Sequence, residues 1–203
     1  MGWKEIFGPS REEVWRQLCQ EIGGDFVEGG FWKGDKVQVR SGVWTITLDT
    51  YTMPAGKTHI PITRLRAPFV SRDGLRFLLY RKGLFSELGK MLGMQDIETG
   101  QSARFDEDFI LKGNDEAKIR ALFASSEIRR LIEEQPEIRL ELKDDEGTFG
   151  RAFPEGVDEL VFTATGLIND VARLKKLYDL FAEVLDQLTR IGSAAEADPG
   201  VQL

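Results

Sequence analysis

From Val37 to Tyr80, and again from Ile138 to Ala164, apolar side chains recur at every second position, and this alternation constrains the fold more than any other feature of the chain. A period of two puts successive side chains on opposite faces of an extended strand, so one face of each run must be covered while the other can stay wet. Trp44, Ile46 and Leu48 alternate with Thr45, Thr47 and Asp49, and Ile138, Leu140 and Leu142 alternate with Arg139, Glu141 and Lys143. Leu160, Phe162 and Ala164 read as the strand that returns from the second run. Val37–Arg40, Ile62–Ala67, Leu75–Arg81 and Phe109–Lys112 have the same character, which gives an expectation of about seven strands. Ser41-Gly42 and Arg72-Asp73-Gly74 are hairpin turn signals, so the first half reads as an antiparallel meander. Asp144 to Gly147 would turn the second run.

Helical spacing appears between and around these runs. Ser10-Arg11-Glu12-Glu13 has the form of a capping box, followed by Val14, Trp15, Leu18, Cys19 and Ile22 on one face and by Gly23-Gly24 as a stop. Phe85, Leu88, Met91 and Leu92 predict a short helix closed by Gly93, and Gln95 to Arg104 reads as a polar connection. Asn114 predicts the cap of a helix from Asp115. On that helix Ile119, Leu122 and Phe123 share a face, while Ile128, Leu131 and Ile132 fall opposite at 100° per residue. One straight helix cannot bury both sets, so a break is expected at Ser125-Ser126, and Pro136 ends the second piece. The last helix, capped by Asn169 or Asp170, carries Val171, Leu174, Tyr178, Phe181, Leu185 and Leu188 in one stripe. Strands in antiparallel runs with helices at their ends predict an α+β fold, an antiparallel sheet with the long C-terminal helix packed on it. The expected organisation is a single domain over 1–192, with a subdivision near 95–105, and a disordered acidic tail over 193–203.

Composition narrows the chemistry. The 203 residues include 34 acidic and 27 basic side chains, a formal net charge of −7, which opposes non-specific attraction to nucleic-acid phosphates or anionic lipid. One cysteine, Cys19, and one histidine, His59, allow no intrachain disulfide and no thiolate- or imidazole-rich metal site. With no apolar run suited to a signal peptide in Met1–Pro9 and none long enough to cross a bilayer, a cytoplasmic protein is expected.

Each local motif has a structural explanation beside the chemical one. Ala55-Gly56-Lys57-Thr58 ends like a phosphate-binding loop, but the required glycine five positions before Gly56 is Tyr51, and Pro61 follows where a helix must start; an inter-strand turn explains it better. Any Ser–His or Cys–His mechanism must run through His59, which has no carboxylate near it in sequence and reads as a loop histidine. Cys19, at the edge of an apolar stripe, reads as a small buried hydrophobe. Asp106-Glu107-Asp108 and Asp144-Asp145-Glu146 lack a calcium-loop pattern and read as solvated turns and helix-start charges. Arg64, Arg66, Arg72, Arg76, Arg81 and Lys82, interleaved with Phe69, Phe77 and Tyr80, could form a single-strand nucleic-acid surface; alternation places those charges on the solvent face of strands instead.

Phe85-Ser86-Glu87-Leu88-Gly89-Lys90, Gly93-Met94-Gln95-Asp96-Ile97, Phe105-Asp106-Glu107-Asp108-Phe109 and Lys112-Gly113-Asn114-Asp115 resemble a bacterial family grouped under a domain of unknown function. The resemblance covers about residues 75 to 190 and implies an F-D-x-x-F strand leading into a capped helix, with no activity attached. No catalytic, cofactor-binding or metal-binding residue is therefore expected. The leading expectation is a non-catalytic cytoplasmic module that binds a protein partner or its own copy as a homodimer. A binder or enzyme for an apolar small molecule is the alternative, with a pocket between sheet and last helix lined by Trp44, Phe162, Tyr178 and Phe181.

Overall fold

The Ser10 hydroxyl accepts a hydrogen bond from the Glu13 amide, and the Glu13 carboxylate accepts one from the Ser10 amide. That reciprocal cap starts α1 (Arg11–Ile22), and Gly23, at φ 67°, ends it in the left-handed conformation. The computed structural model describes residues 9–30, 34–83, 94–144 and 153–203. The short helix expected over Phe85–Leu92, and all but the first residue of the turn expected over Asp144–Gly147, lie outside them.

After α1 come β1 (Asp25–Val27), β2 (Lys36–Ser41), β3 (Trp44–Ala55) and β4 (Thr58–Ser71), an antiparallel meander with Val39 opposite Ile46 and Leu48 opposite Leu65. The meander stops there. β5 (Phe77–Arg81) does not return on β4, whose edge is taken from Thr63 to Val70 by β9 (Val157–Thr165). It lies instead between β7 (Phe109–Gly113) and β8 (Arg139–Asp144) in the far half of the sheet. Asn114 fixes that departure: its amide group donates to the Gly74 carbonyl at 2.9 Å and its side-chain oxygen accepts from the Arg76 amide at 2.8 Å. Spent in this way, Asn114 is not the helix cap, and Asp115 caps one residue later than expected by accepting from the Lys118 amide.

The expected polar connection before β7 contains two elements, β6 (Gln95–Asp96) and α2 (Ala103–Asp108). Phe105 to Asp108 therefore form a helical turn with only Phe109 in the strand, which corrects the reading of F-D-x-x-F as a strand. Phe105 packs on Phe109 with ring centroids 4.8 Å apart. The predicted break is present: α3 (Glu116–Phe123) and α4 (Ser126–Glu133) flank Ser125, whose hydroxyl accepts from the Ile128 amide. Asp170 caps α5 (Val171–Arg190), and β10 (Ala194–Ala195) then pairs with the end of β4.

Among the described residues the sheet has ten strands in the order β1-β2-β3-β4-β9-β8-β5-β7-β6, with β10 beside β4 and every named pair antiparallel. The seven long enough to show alternation are β2 to β5 and β7 to β9; the other three have only two or three residues. One continuous core joins the inward face of the sheet to α1, α3, α4 and α5, with Trp15, Phe77, Phe123, Phe162 and Phe181 all at 1% exposure or less. The tail is not free at its start. Ser193 is buried, its hydroxyl donates to Asp73 at 2.8 Å, and farther on Lys36 bonds the Leu203 carbonyl. Backbone pairing on β4 thus orders part of a segment whose composition alone argues for disorder.

Candidate binding surface

The sequence-suggested reactive groups stand apart. His59 is exposed near the start of β4, and Cys19 is half-buried on α1, its thiol pushed up by burial and by Asp25. A raised thiol holds less thiolate, which leaves Cys19 a packing residue. Ala55-Gly56-Lys57-Thr58 is the β3–β4 turn: Gly56 sits at φ 62° and the Thr58 hydroxyl donates to the Ala55 carbonyl at 3.0 Å. Asp106 accepts from the Thr99 amide and hydroxyl and the Gly100 amide, so its carboxylate holds the 97–101 loop. No group of three or more His, Cys, Asp or Glu side chains suited to a metal occurs among the described residues.

The basic residues between Arg64 and Lys82 are largely engaged within the fold. Arg64 grips Asp49 with two bonds of 2.8 and 2.7 Å, and Arg66 donates to the same carboxylate at 2.8 Å. Burial alone would lower the Arg64 guanidinium; the paired Asp49 carboxylate more than reverses this. Arg76 pairs with Asp144 and Asp158 at 3.0 and 2.8 Å. Arg81 donates to the Glu133 and Gln135 carbonyls and stacks over Phe109, while Lys82 bonds the Asp106 carbonyl. Phe69 and Phe77 are core residues and Tyr80 is buried, so none offers a stacking platform for a base. The nucleic-acid reading loses its rings and most of its charges.

The residues expected to line an apolar-ligand pocket are buried. Trp44, Phe162, Tyr178 and Phe181 are all at 5% exposure or less, and the Tyr178 hydroxyl donates to the Val37 carbonyl at 3.3 Å. Burial pushes that phenol well up. Among the described residues clefts lie elsewhere: beside β6 and β7, beside the 153–158 segment, and at the sheet edge between Glu28, Asp35, Asp49, Arg64, Arg66 and Leu203. The last, about 450 Å³, is lined by the ion pairs just described.

What the sheet does expose is an arm. β2 leaves β3 after Leu48 opposite Val37, and β9 leaves β4 at Thr63, whereas β3 and β4 stay paired to Ala55 opposite Thr58. Residues 50–55 and 58–62 thus run on as two strands, ~20 Å at the usual rise of a strand. Among the described residues Gly166 also reaches them, its amide donating to the Pro61 carbonyl. Arg64 lies over the Tyr51 ring at 4.8 Å, so Tyr51 occupies the face opposite the helices, and alternation puts Met53 and the cross-strand partners Ile62 and Ile60 there too. Among the described residues Tyr51, Met53 and Leu167 are the exposed large hydrophobic ones, at 38%, 47% and 44%. Sequence reasoning passed over them. Two signals were present: Pro54 and Pro61, tolerated in strands only at edges, and the lack of any carboxylate from Thr50 to Thr63 in a chain with 34 acidic residues.

No family model and no curated protein matches the chain. Among solved structures, the mycobacterial trehalose monomycolate transport factor A is similar, with a TM-score of 0.55 and 8% identity over 91% of this chain and 97% of that one. At that identity the likeness is one of fold alone.

Proposed function

We propose that this chain is a non-catalytic module that works in the cytoplasm by binding protein, a partner or its own copy. The observation that carries the reading is the division of its described surface: most of the cations between Arg64 and Lys82 are tied into internal pairs, while the exposed large hydrophobes among the described residues gather on and beside one projecting arm. Apolar side chains left in water beside paired charge are the mark of a contact surface. The similar fold belongs to a protein described as a transport factor, a role consistent with binding. Among the described residues no helix is long and apolar enough to cross a membrane.

Affinity capture with the full chain as bait, combined with light scattering on the purified protein, tests this. A retained partner or a defined oligomer is expected. A clean monomer that retains nothing would contradict the reading.

A further inference from the structure

Residues 196–203 lie against the outer face of β2. We propose that this face, with the cleft at its start, docks an extended segment of a partner protein, and that residues 196–203 fill it as an exchangeable strap. The segment it fits bears a carboxylate followed by apolar side chains at alternate positions. This second contact surface lies beside the base of the arm, and it rests on the protein-binding reading above.

Three observations converge. First, the chemistry of face and strap matches. Val37 belongs to the core, so alternation puts Lys36, Gln38 and Arg40 on the outer face of β2. Arg40 meets Asp198 at 3.8 Å and Lys36 bonds the Leu203 carbonyl; among the described residues neither cation has a partner in the body of the fold. The strap thus runs opposite to β2. Along it Pro199, Val201 and Leu203 are half-buried while Asp198, Gly200 and Gln202 are exposed, the period of an extended segment lying on a surface. Secondly, the hold is weak beyond Ala195. Ala194 and Ala195 pair with Ser71 and Val70, and Ser193 is buried. From Glu196 onward the amide bonds among the described residues are local, Ala197 to the Ala195 carbonyl and Gly200 to the Asp198 carboxylate. The Arg40 and Asp198 side chains are 67% and 60% exposed, and pairs so exposed hold loosely. Thirdly, the site is larger than the strap. The cleft of about 450 Å³ has Leu203 in its wall, and its rim includes Gly30 and Gly34, where an added Cβ would meet open space. Its carboxylates are already matched, Asp35 by Arg11 and Glu28 by Arg16 at 2.8 Å each, and Asp49 by Arg64 and Arg66. A partner segment of the same pattern that reaches farther into the cleft makes contacts the strap does not, and so displaces it.

Chemical-shift titration of the isotope-labelled full chain with a synthetic peptide of residues 196–203 is the test, with thermal melts to show that each variant keeps its fold. Asp198→Lys with Leu203→Ser opens the strap, and a site no longer filled from within binds an added segment more tightly. That chain should saturate at a peptide concentration about tenfold or more below the wild type, with shifts at Lys36, Gln38 and Arg40. Adding Arg40→Glu should abolish binding, and a peptide carrying Asp198→Lys should restore it. Affinity capture should retain more partner on the strap-opened chain than on the wild type. A strap-opened chain that shows no shift on β2, or the same shifts with a scrambled peptide or with inorganic phosphate, overturns the docking site. Partner capture that Tyr51→Ser with Met53→Ser still reduces would then leave the protein-binding reading standing. Capture of nothing by any of these chains overturns both.

Discussion

Gly113 shows how closely a single position is specified. A Cβ built there would lie 1.9 Å from Ile119 Cδ1 and 2.9 Å from the Arg76 carbonyl oxygen, with no left-handed backbone involved. Gly113→Ala should therefore destabilise by about 1–3 kcal/mol through overpacking, seen as a lower denaturant midpoint at unchanged slope. Asp49 is specified by charge. Removing it in Asp49→Ala strands two part-buried guanidinium groups at once, and a loss of about 1–3 kcal/mol is expected in the same measurement. Asp73 carries a pH dependence. Burial would raise its carboxyl, but the bonds from Lys118, Ser193 and the Leu75 amide outweigh burial and hold it below the usual range. A carboxyl lowered by folding adds stability that is complete above its unfolded value and fades as pH falls through the folded one. Asp73→Asn should flatten the acid limb of stability against pH; an unchanged limb would show that Asp73 contributes nothing there. Cap and core residues of this kind were readable in the sequence, Ser10-Glu13 and the Ser125-Ser126 break among them, because their cause is local. Asn114 was misread because the Gly74 and Arg76 groups that claim its side chain are about 40 residues away.

At the scale of elements, legibility followed length. β2 to β5, β7 to β9 and α5 each carry enough residues to show a period, whereas α2, with only Phe105 buried in six residues, shows none. The division of α3 from α4 was legible because two apolar faces demanded it, and both are met: Ile119, Leu122, Phe123, Ile128, Leu131 and Ile132 are all at 1% exposure or less. α5 lies at the centre of the helix layer, contacting both α1 and α4. Phe181, fully buried on it, should cost about 3–5 kcal/mol on change to Ala, read by chemical denaturation. The arm is the opposite kind of element, since its outer side chains support little of the core. Tyr51→Ser and Met53→Ser should leave the melting temperature nearly unmoved while changing association.

For the whole molecule, strand order was the part that sequence did not contain. The hairpin partners β2, β3 and β4 follow from short turns, but the insertion of β9 and β8 between β4 and β5 joins segments about 60 to 100 residues apart, and no local period encodes such pairings. The same non-local pairing leaves the far ends of β3 and β4 without a further strand beside them among the described residues, and so creates the arm. The division of labour that results among the described residues, charges paired across the sheet and exposed apolar side chains on and beside one projection, is what the functional reading rests on. Amide hydrogen exchange on the wild-type chain, compared between the free chain and the complex or oligomer it forms, tests it most directly. Exchange over residues 50–62 should slow in the assembly while the β4–β9 ladder from Thr63 to Val70 stays unchanged. An arm that exchanges equally fast in both states, with protection gained on another surface or nowhere, would contradict it.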